Sequence, residues 1–102
     1  MKNPQPPKHL TRPTKAWWRS MQDAYRIADP SGLTLLTVAA DALDRAESAR
    51  LAIEAGGGPS VLDRFGQAKT HPACAVERDA RAQIIHALKA LGVDGAPEGI
   101  QR

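Results

Sequence analysis

The chain is poor in the residues that staple or fill a protein interior. It has one cysteine, Cys74, in 102 residues, so no internal disulfide can form, and a lone thiol suits a reducing cytoplasm, the default expectation for its location. Aromatic residues make up 4% of the chain and much of its 42% hydrophobic content is alanine, so each apolar position has little surface to bury. At roughly 25 cal/mol per Å² of apolar area, a lone subunit of this composition is thinly stabilised, and association of several copies is expected. No apolar run approaches the ~20 residues that cross a membrane. The opening MKNPQPPKHL has no hydrophobic stretch after its lysine, unlike a secretory signal. The length suits one ordinary domain and sets aside a two-domain enzyme.

Acids are scarce at one end. Residues 1–26 carry six Lys/Arg against one Asp, a formal +5, whereas residues 27–102 carry eight Lys/Arg against ten Asp/Glu, a formal −2. The overall +3 and pI near 9.4 say little by themselves. Their confinement to the N-terminal quarter points to a surface facing a polyanion, the bland alternative being a solubilising tail.

What is present reads as a mainly α protein with three helices, about 13–27, 30–55 and 72–91, and a short β-hairpin, about 60–70, between the second and third. Pro4, Pro6 and Pro7 among polar residues predict a flexible basic arm over 1–10, since proline interrupts helical hydrogen bonding. A single helical domain follows over 11–92, then a polar tail over 93–102. Thr11 is the expected cap of the first helix, with Pro13 in its first turn, where a missing N–H does no harm. Asp29-Pro30 opens the second helix by the same logic, and Gly56-Gly57-Gly58-Pro59 ends it. Arg64-Phe65-Gly66 makes the hairpin turn, with Gly66 at positive φ. Thr70 or His71 caps the third helix, whose stripe Val76, Ala80, Ile84, Ala87, Leu88 and Leu91 closes at Gly92.

The first helix carries the strongest functional pattern. At 100° per residue, Trp17, Trp18, Met21, Ala24 and Tyr25 share one face, while Arg12, Lys15, Arg19, Gln22 and Arg26 share another. Tryptophan can stack on bases, but adjacent helical positions diverge, so Trp17 and Trp18 are better read as core anchors. The second face has no acid, although Asp23 lies near its edge. With Lys8 of the arm, Arg12, Lys15, Arg19 and Arg26 are the candidate contacts to double-stranded DNA, arginine being suited to bidentate phosphate contacts. An ordinary solvated face that happens to be basic is the competing reading. On the second helix the apolar stripe is too wide for a simple surface helix, and Leu35, Val38, Ala39, Ala42 and Ala46 are expected at a subunit interface.

Other patterns carry less. His71 and Cys74 are spaced like half a zinc site, but His9 and His86 supply no second close pair, so no metal is expected. The GGGPS run lacks the lysine and frame of a phosphate loop, and it ends a helix where such a loop opens one. Asp41 and Asp44 could pair as carboxylates, yet a metal nuclease needs further ligands, and a solvated face is the expectation. No nucleophile, base and orienting group come together, so no catalysis and no cofactor are expected.

Several stretches, taken together, resemble a family of phage terminase small subunits: PPKHL at 6–10, AWWR at 16–19, DPSGLTLL at 29–36, ALDRA at 42–46, DRFGQAKTHP at 63–72 and AVERDARAQIIHAL at 75–88. Their order and spacing span about residues 6–92. The resemblance implies a non-catalytic, ring-forming protein that binds the packaging site of viral double-stranded DNA and presents it to the terminase large subunit, which holds the ATPase and nuclease. It implies no base-reading residues here, so the DNA-contact set rests on the charge pattern. The competing expectation is a protein-interaction or regulatory subunit, for instance of a mobile element that redirects phage packaging, whose basic end meets an acidic partner. A small metal nuclease ranks last.

Overall fold

The computed structural model describes residues 4–93. Its elements are α1 (Arg12–Tyr25), α2 (Pro30–Ala55), β1 (Ser60–Leu62), β2 (Ala68–Thr70) and α3 (Ala73–Leu91), as the expected three helices with a hairpin between the last two. Of the polar tail expected over 93–102, residues 94–102 lie outside the described residues, and Val93 is buried.

Local chemistry accounts for most boundaries. Asp29 accepts the Gly32 amide at 2.9 Å and the Ser31 hydroxyl at 2.8 Å, satisfying an N–H that the first turn of α2 leaves without a helical partner. Gly92 closes α3 in the left-handed conformation, its amide donating to the carbonyls of Leu88 and Lys89. In the hairpin, Ser60 pairs with Thr70 and Leu62 with Ala68 in antiparallel register, Gly66 turns at φ +78, and Asp63 accepts the amides of Phe65 and Gln67 at 2.8 and 2.9 Å. At the start of α3 neither Thr70 nor His71 holds the cap position, which falls to Pro72. His71 still does a cap's work, since its Nδ1 accepts the Ala73 amide at 3.0 Å.

Helices α2 and α3 run antiparallel and pack along much of their length. Their contact is built from alanine: Ala39, Ala42, Ala46 and Ala49 on α2 and Ala80 and Ala87 on α3 are all buried. Small side chains let the two backbones approach closely but leave little apolar area to bury. The larger side chains gather on the other side of α2, where Leu10, Trp18, Ile27, Leu36 and Ala40 form one cluster, with Trp17, Met21, Leu33 and Leu91 against it. Trp18 and Leu36 are the largest fully buried side chains, and α1 is held on α2 mainly through them.

One expectation is corrected by this packing. Ala39 and Ala42 are 0% exposed and Ala46 is 5%, so their surface is consumed within the chain and they cannot serve a subunit interface in this fold. The over-wide stripe on α2 exists because α1 and α3 cover it from two sides. Leu35 and Val38 remain half-buried with surface to offer. At the foot of the proline-rich arm the chain meets the helices. The Leu10 amide reaches back to the Pro7 carbonyl at 3.4 Å, and Leu10 itself is 4% exposed within the core cluster. An apolar residue at the foot of a proline-rich segment anchors it against the helices.

Candidate nucleic-acid interface

Helix α1 lies antiparallel to the first half of α2, with one side turned inward. Trp18 faces Thr37, its Nε1 donating to Oγ1 at 3.4 Å, and Thr14 faces Asp44, its hydroxyl donating to Oδ1 at 2.6 Å. Arg12, Lys15 and Arg19 follow at steps of three and four residues, which confines them to an arc of about 60° centred roughly 110° round the helix from Thr14 and Trp18, along about 10 Å of helix. Arg12 and Arg19 are exposed and Lys15 is half-buried. Lys8, also exposed, precedes them on the anchored arm.

These cations stand outside the ion pairs formed among the described residues. The ion pairs among the described residues use Arg50 with Glu47 and Glu54, Arg81 with Glu77, Arg78 with Asp79, and His9 with Asp41. Arg45 on α2 donates to Gln83 on α3. The α2–α3 surface is therefore laced with compensated charge. Glu47 is held below the ordinary carboxylate range, first by its hydrogen bond from Arg50 and then by the charges of Arg50 and Arg81. None of Lys8, Arg12, Lys15, Arg19 or Arg26 takes part in those ion pairs.

Arg26 departs from the face expected for it. Helix α1 stops at Tyr25, and Arg26 is the C-cap with φ 52, so the rotation of 100° per residue no longer applies to it. It lines a shallow groove with Gln22, Asp23 and Ala28, beside an acid and off the Arg12–Lys15–Arg19 strip. Gln22 likewise serves structure, its Nε2 donating to the Ile27 carbonyl at 2.9 Å and helping to close the helix end. The candidate strip therefore comprises Arg12, Lys15 and Arg19 on α1, with Lys8 on the arm.

The acids assigned to a solvated face have a structural use. Asp44 accepts the Thr11 amide at 2.9 Å, the Thr11 hydroxyl at 2.7 Å and the Thr14 hydroxyl at 2.6 Å. Thr11 occupies the N-cap position of α1 as expected, yet its side chain makes no cap bond to its own helix, because its hydroxyl is turned to Asp44. Asp41, one turn earlier on α2, meets His9 Nε2 at 2.5 Å. Burial pushes the Asp44 carboxyl up, but the hydrogen bonds from Thr14 and Thr11, aided by the charge on His9, together hold it below its ordinary value. Thr14, 8% exposed, is a polar side chain in an apolar interior, and its partner Asp44 removes the cost of about 1–3 kcal/mol that an unsatisfied buried hydroxyl carries. Residue spacing on α2 alone does not display this role, since it requires knowing which segment lies across the helix.

Elsewhere the chemistry is sparse. No group of three or more His, Cys, Asp or Glu among the described residues is placed to hold a metal ion. His71 is engaged at the start of α3, and Cys74 Sγ lies 3.9 Å from the Pro59 carbonyl oxygen. A cleft of about 280 Å³ between the ends of α1 and α3 is lined by Tyr25, Ile27, Leu35 and Leu91 among others. None of the described helices is long and apolar enough to cross a membrane. No protein-family model, no curated protein and no solved structure matches the chain.

Proposed function

We propose that the chain is a phage terminase small subunit: a non-catalytic protein that assembles into a ring in the host cytoplasm, binds packaging-site double-stranded DNA and hands it to the large terminase subunit. The observation that carries the DNA part is the uncompensated strip Arg12, Lys15 and Arg19, with Lys8 beside it, on a molecule whose other helices pair most of their arginines. Cations outside any ion pair, outnumbering the single acid Asp23 on this face of α1, suit a ligand that supplies negative charge. The ring is supported by the thin alanine contact between α2 and α3 and by large apolar side chains left in solvent. Leu51, Val76 and Ile85 are each about half exposed, and Leu62 and Phe65 on the hairpin are 73% and 74% exposed. The packaging role itself draws on the resemblance of the six stretches from PPKHL to AVERDARAQIIHAL.

Repetition around a ring lets a weak strip suffice, because each bound copy raises the effective concentration of phosphate at the next. The test is affinity for packaging-site DNA as a function of salt. Each phosphate neutralised contributes about 0.9 to the slope of log affinity against log salt. Replacing Arg12 and Arg19 together by alanine should therefore flatten the slope by about 1.8 for each subunit engaged, with the oligomer mass in native mass spectrometry unchanged. An unaltered slope removes α1 from the interface. Binding of the purified large subunit with no affinity for DNA would favour the protein-interaction reading.

A further inference from the structure

We propose that Asp44 is a positioning residue for the basic strip: it caps α1 from the neighbouring helix and thereby fixes where Arg12, Lys15, Arg19 and the arm bearing Lys8 stand. The inference rests on the DNA-binding reading only in its functional half, because the positioning itself is a property of the fold. Three donors from the first turn of α1 converge on this one carboxylate, namely the Thr11 amide, the Thr11 hydroxyl and the Thr14 hydroxyl. No side chain of α1 caps its own first turn, so the helix start depends on α2. His9 on Asp41 extends the attachment into the arm, and buried Leu10 lies between the two polar contacts. The inward side of this turn is thus held by hydrogen bonds while the outward side carries the cations.

An acid beneath a cationic strip has two opposite effects on a polyanion ligand, and this makes the proposal decidable. Its charge repels phosphate, so on electrostatics alone removing it should tighten DNA binding. Its hydrogen bonds order the strip, so on positioning removing it should weaken binding in proportion to the fraction of time the strip is misplaced. Asp44→Ala is predicted to weaken affinity about threefold or more even though the protein becomes more positive. Thr14→Val removes one of the three donors with no change of charge, and should shift affinity in the same direction by less. Asp44→Asn keeps an oxygen for the two hydroxyls but can turn an amide N–H toward the Thr11 N–H, and should fall between wild type and Asp44→Ala.

The experiment pairs DNA affinity with amide hydrogen exchange across the full-length chain. In Asp44→Ala, exchange of the Thr11 and Lys15 amides, which donate to Asp44 and to the Thr11 carbonyl, should rise about tenfold or more, while the amides in the middle of α2 and α3 stay protected. If Asp44→Ala does not fold, Thr14→Val carries the same comparison. Unchanged exchange in the first turn of α1 overturns the positioning role whatever DNA does. Raised exchange with unchanged or tighter DNA binding overturns its bearing on function. If the wild-type protein shows no DNA affinity at all, the DNA reading falls, and the exchange measurement still decides whether Asp44 positions the helix.

Discussion

Trp18→Ala should be the most damaging single substitution in the first helix, and its cost can be worked from two directions. Trp18 is 2% exposed and sits among Leu10, Ile27, Leu36 and Ala40. A tryptophan buries about 150–250 Å², which at about 25 cal/mol per Å² is roughly 4–6 kcal/mol. Measured losses for replacing a buried tryptophan or phenylalanine by alanine run about 3–5 kcal/mol. The two ranges meet near 4–5 kcal/mol. A domain of this size has about 5–15 kcal/mol in total, and a core whose largest fully buried members are Trp18 and Leu36 belongs at the low end. The indole N–H contributes little of this, since it reaches Thr37 only at 3.4 Å. Trp18→Phe should therefore recover most of the loss, while Trp17→Ala, at a half-buried position, should cost about 1–2 kcal/mol. Urea unfolding followed by far-ultraviolet circular dichroism gives all three midpoints. A Trp18→Ala cost no larger than that of Trp17→Ala would refute the claim that α1 docks chiefly through Trp18.

Two further perturbations bear on the polar contacts of α1 and α2. Gly32→Ala should destabilise by about 1–2 kcal/mol, read as a lower melting temperature, although glycine to alanine within a helix ordinarily gains about 1 kcal/mol. The added Cβ would lie 2.7 Å from Asp29 Oδ1 and 2.9 Å from Ile27 Cγ2, displacing a cap and a buried side chain; a stabilised variant would show that this corner yields freely. The pH dependence follows from Asp44, whose folded pKa is below its ordinary value of 3.8. A carboxyl depressed on folding adds stability that is present above its unfolded pKa and is lost as pH falls through the folded one. The stability gap between wild type and Asp44→Asn, measured by urea midpoint at pH 7, 5 and 3, should be full at pH 7 and 5 and narrow at pH 3; a gap that widens toward acid contradicts the sign.

Boundaries were readable because they are written by neighbours in the chain. Asp29-Pro30 caps Gly32 three residues away, and Gly66 turns a hairpin whose strands pair across it. The observed bounds of α2 match those expected from these signals. Features decided across space were not readable. Leu10 looked like the end of a proline-rich arm, but its burial depends on Trp18 and Leu36 arriving beside it. Arg26 continued the charge spacing of α1 in sequence, and only the left-handed turn at that residue takes it off the strip. Ala39, Ala42 and Ala46 showed an apolar excess correctly, but an amphipathic pattern counts buried faces without saying whether its own chain or another copy buries them.

That last ambiguity also locates where a second copy can act. Once α1 and α3 have taken the alanines of α2, apolar surface remains among the described residues at Leu35 and Val38 on α2, Leu51 near its end, the hairpin side chains Leu62 and Phe65, Val76 and Ile85 on α3, and Tyr25 at the end of α1. A strand pair of three residues each is too short to be stable on its pairing alone, and its large side chains point into solvent. On α3, Ala80 and Ala87 are the buried residues while Ile85 is 54% exposed, so the helix buries its smallest apolar residues and exposes one of its largest. Folding of the single chain leaves those side chains exposed, and a second copy, as proposed, would bury them. On the proposed ring reading, the surface available for contact between copies is the hairpin and the outer faces of α2 and α3, and the basic strip of α1 lies outside it.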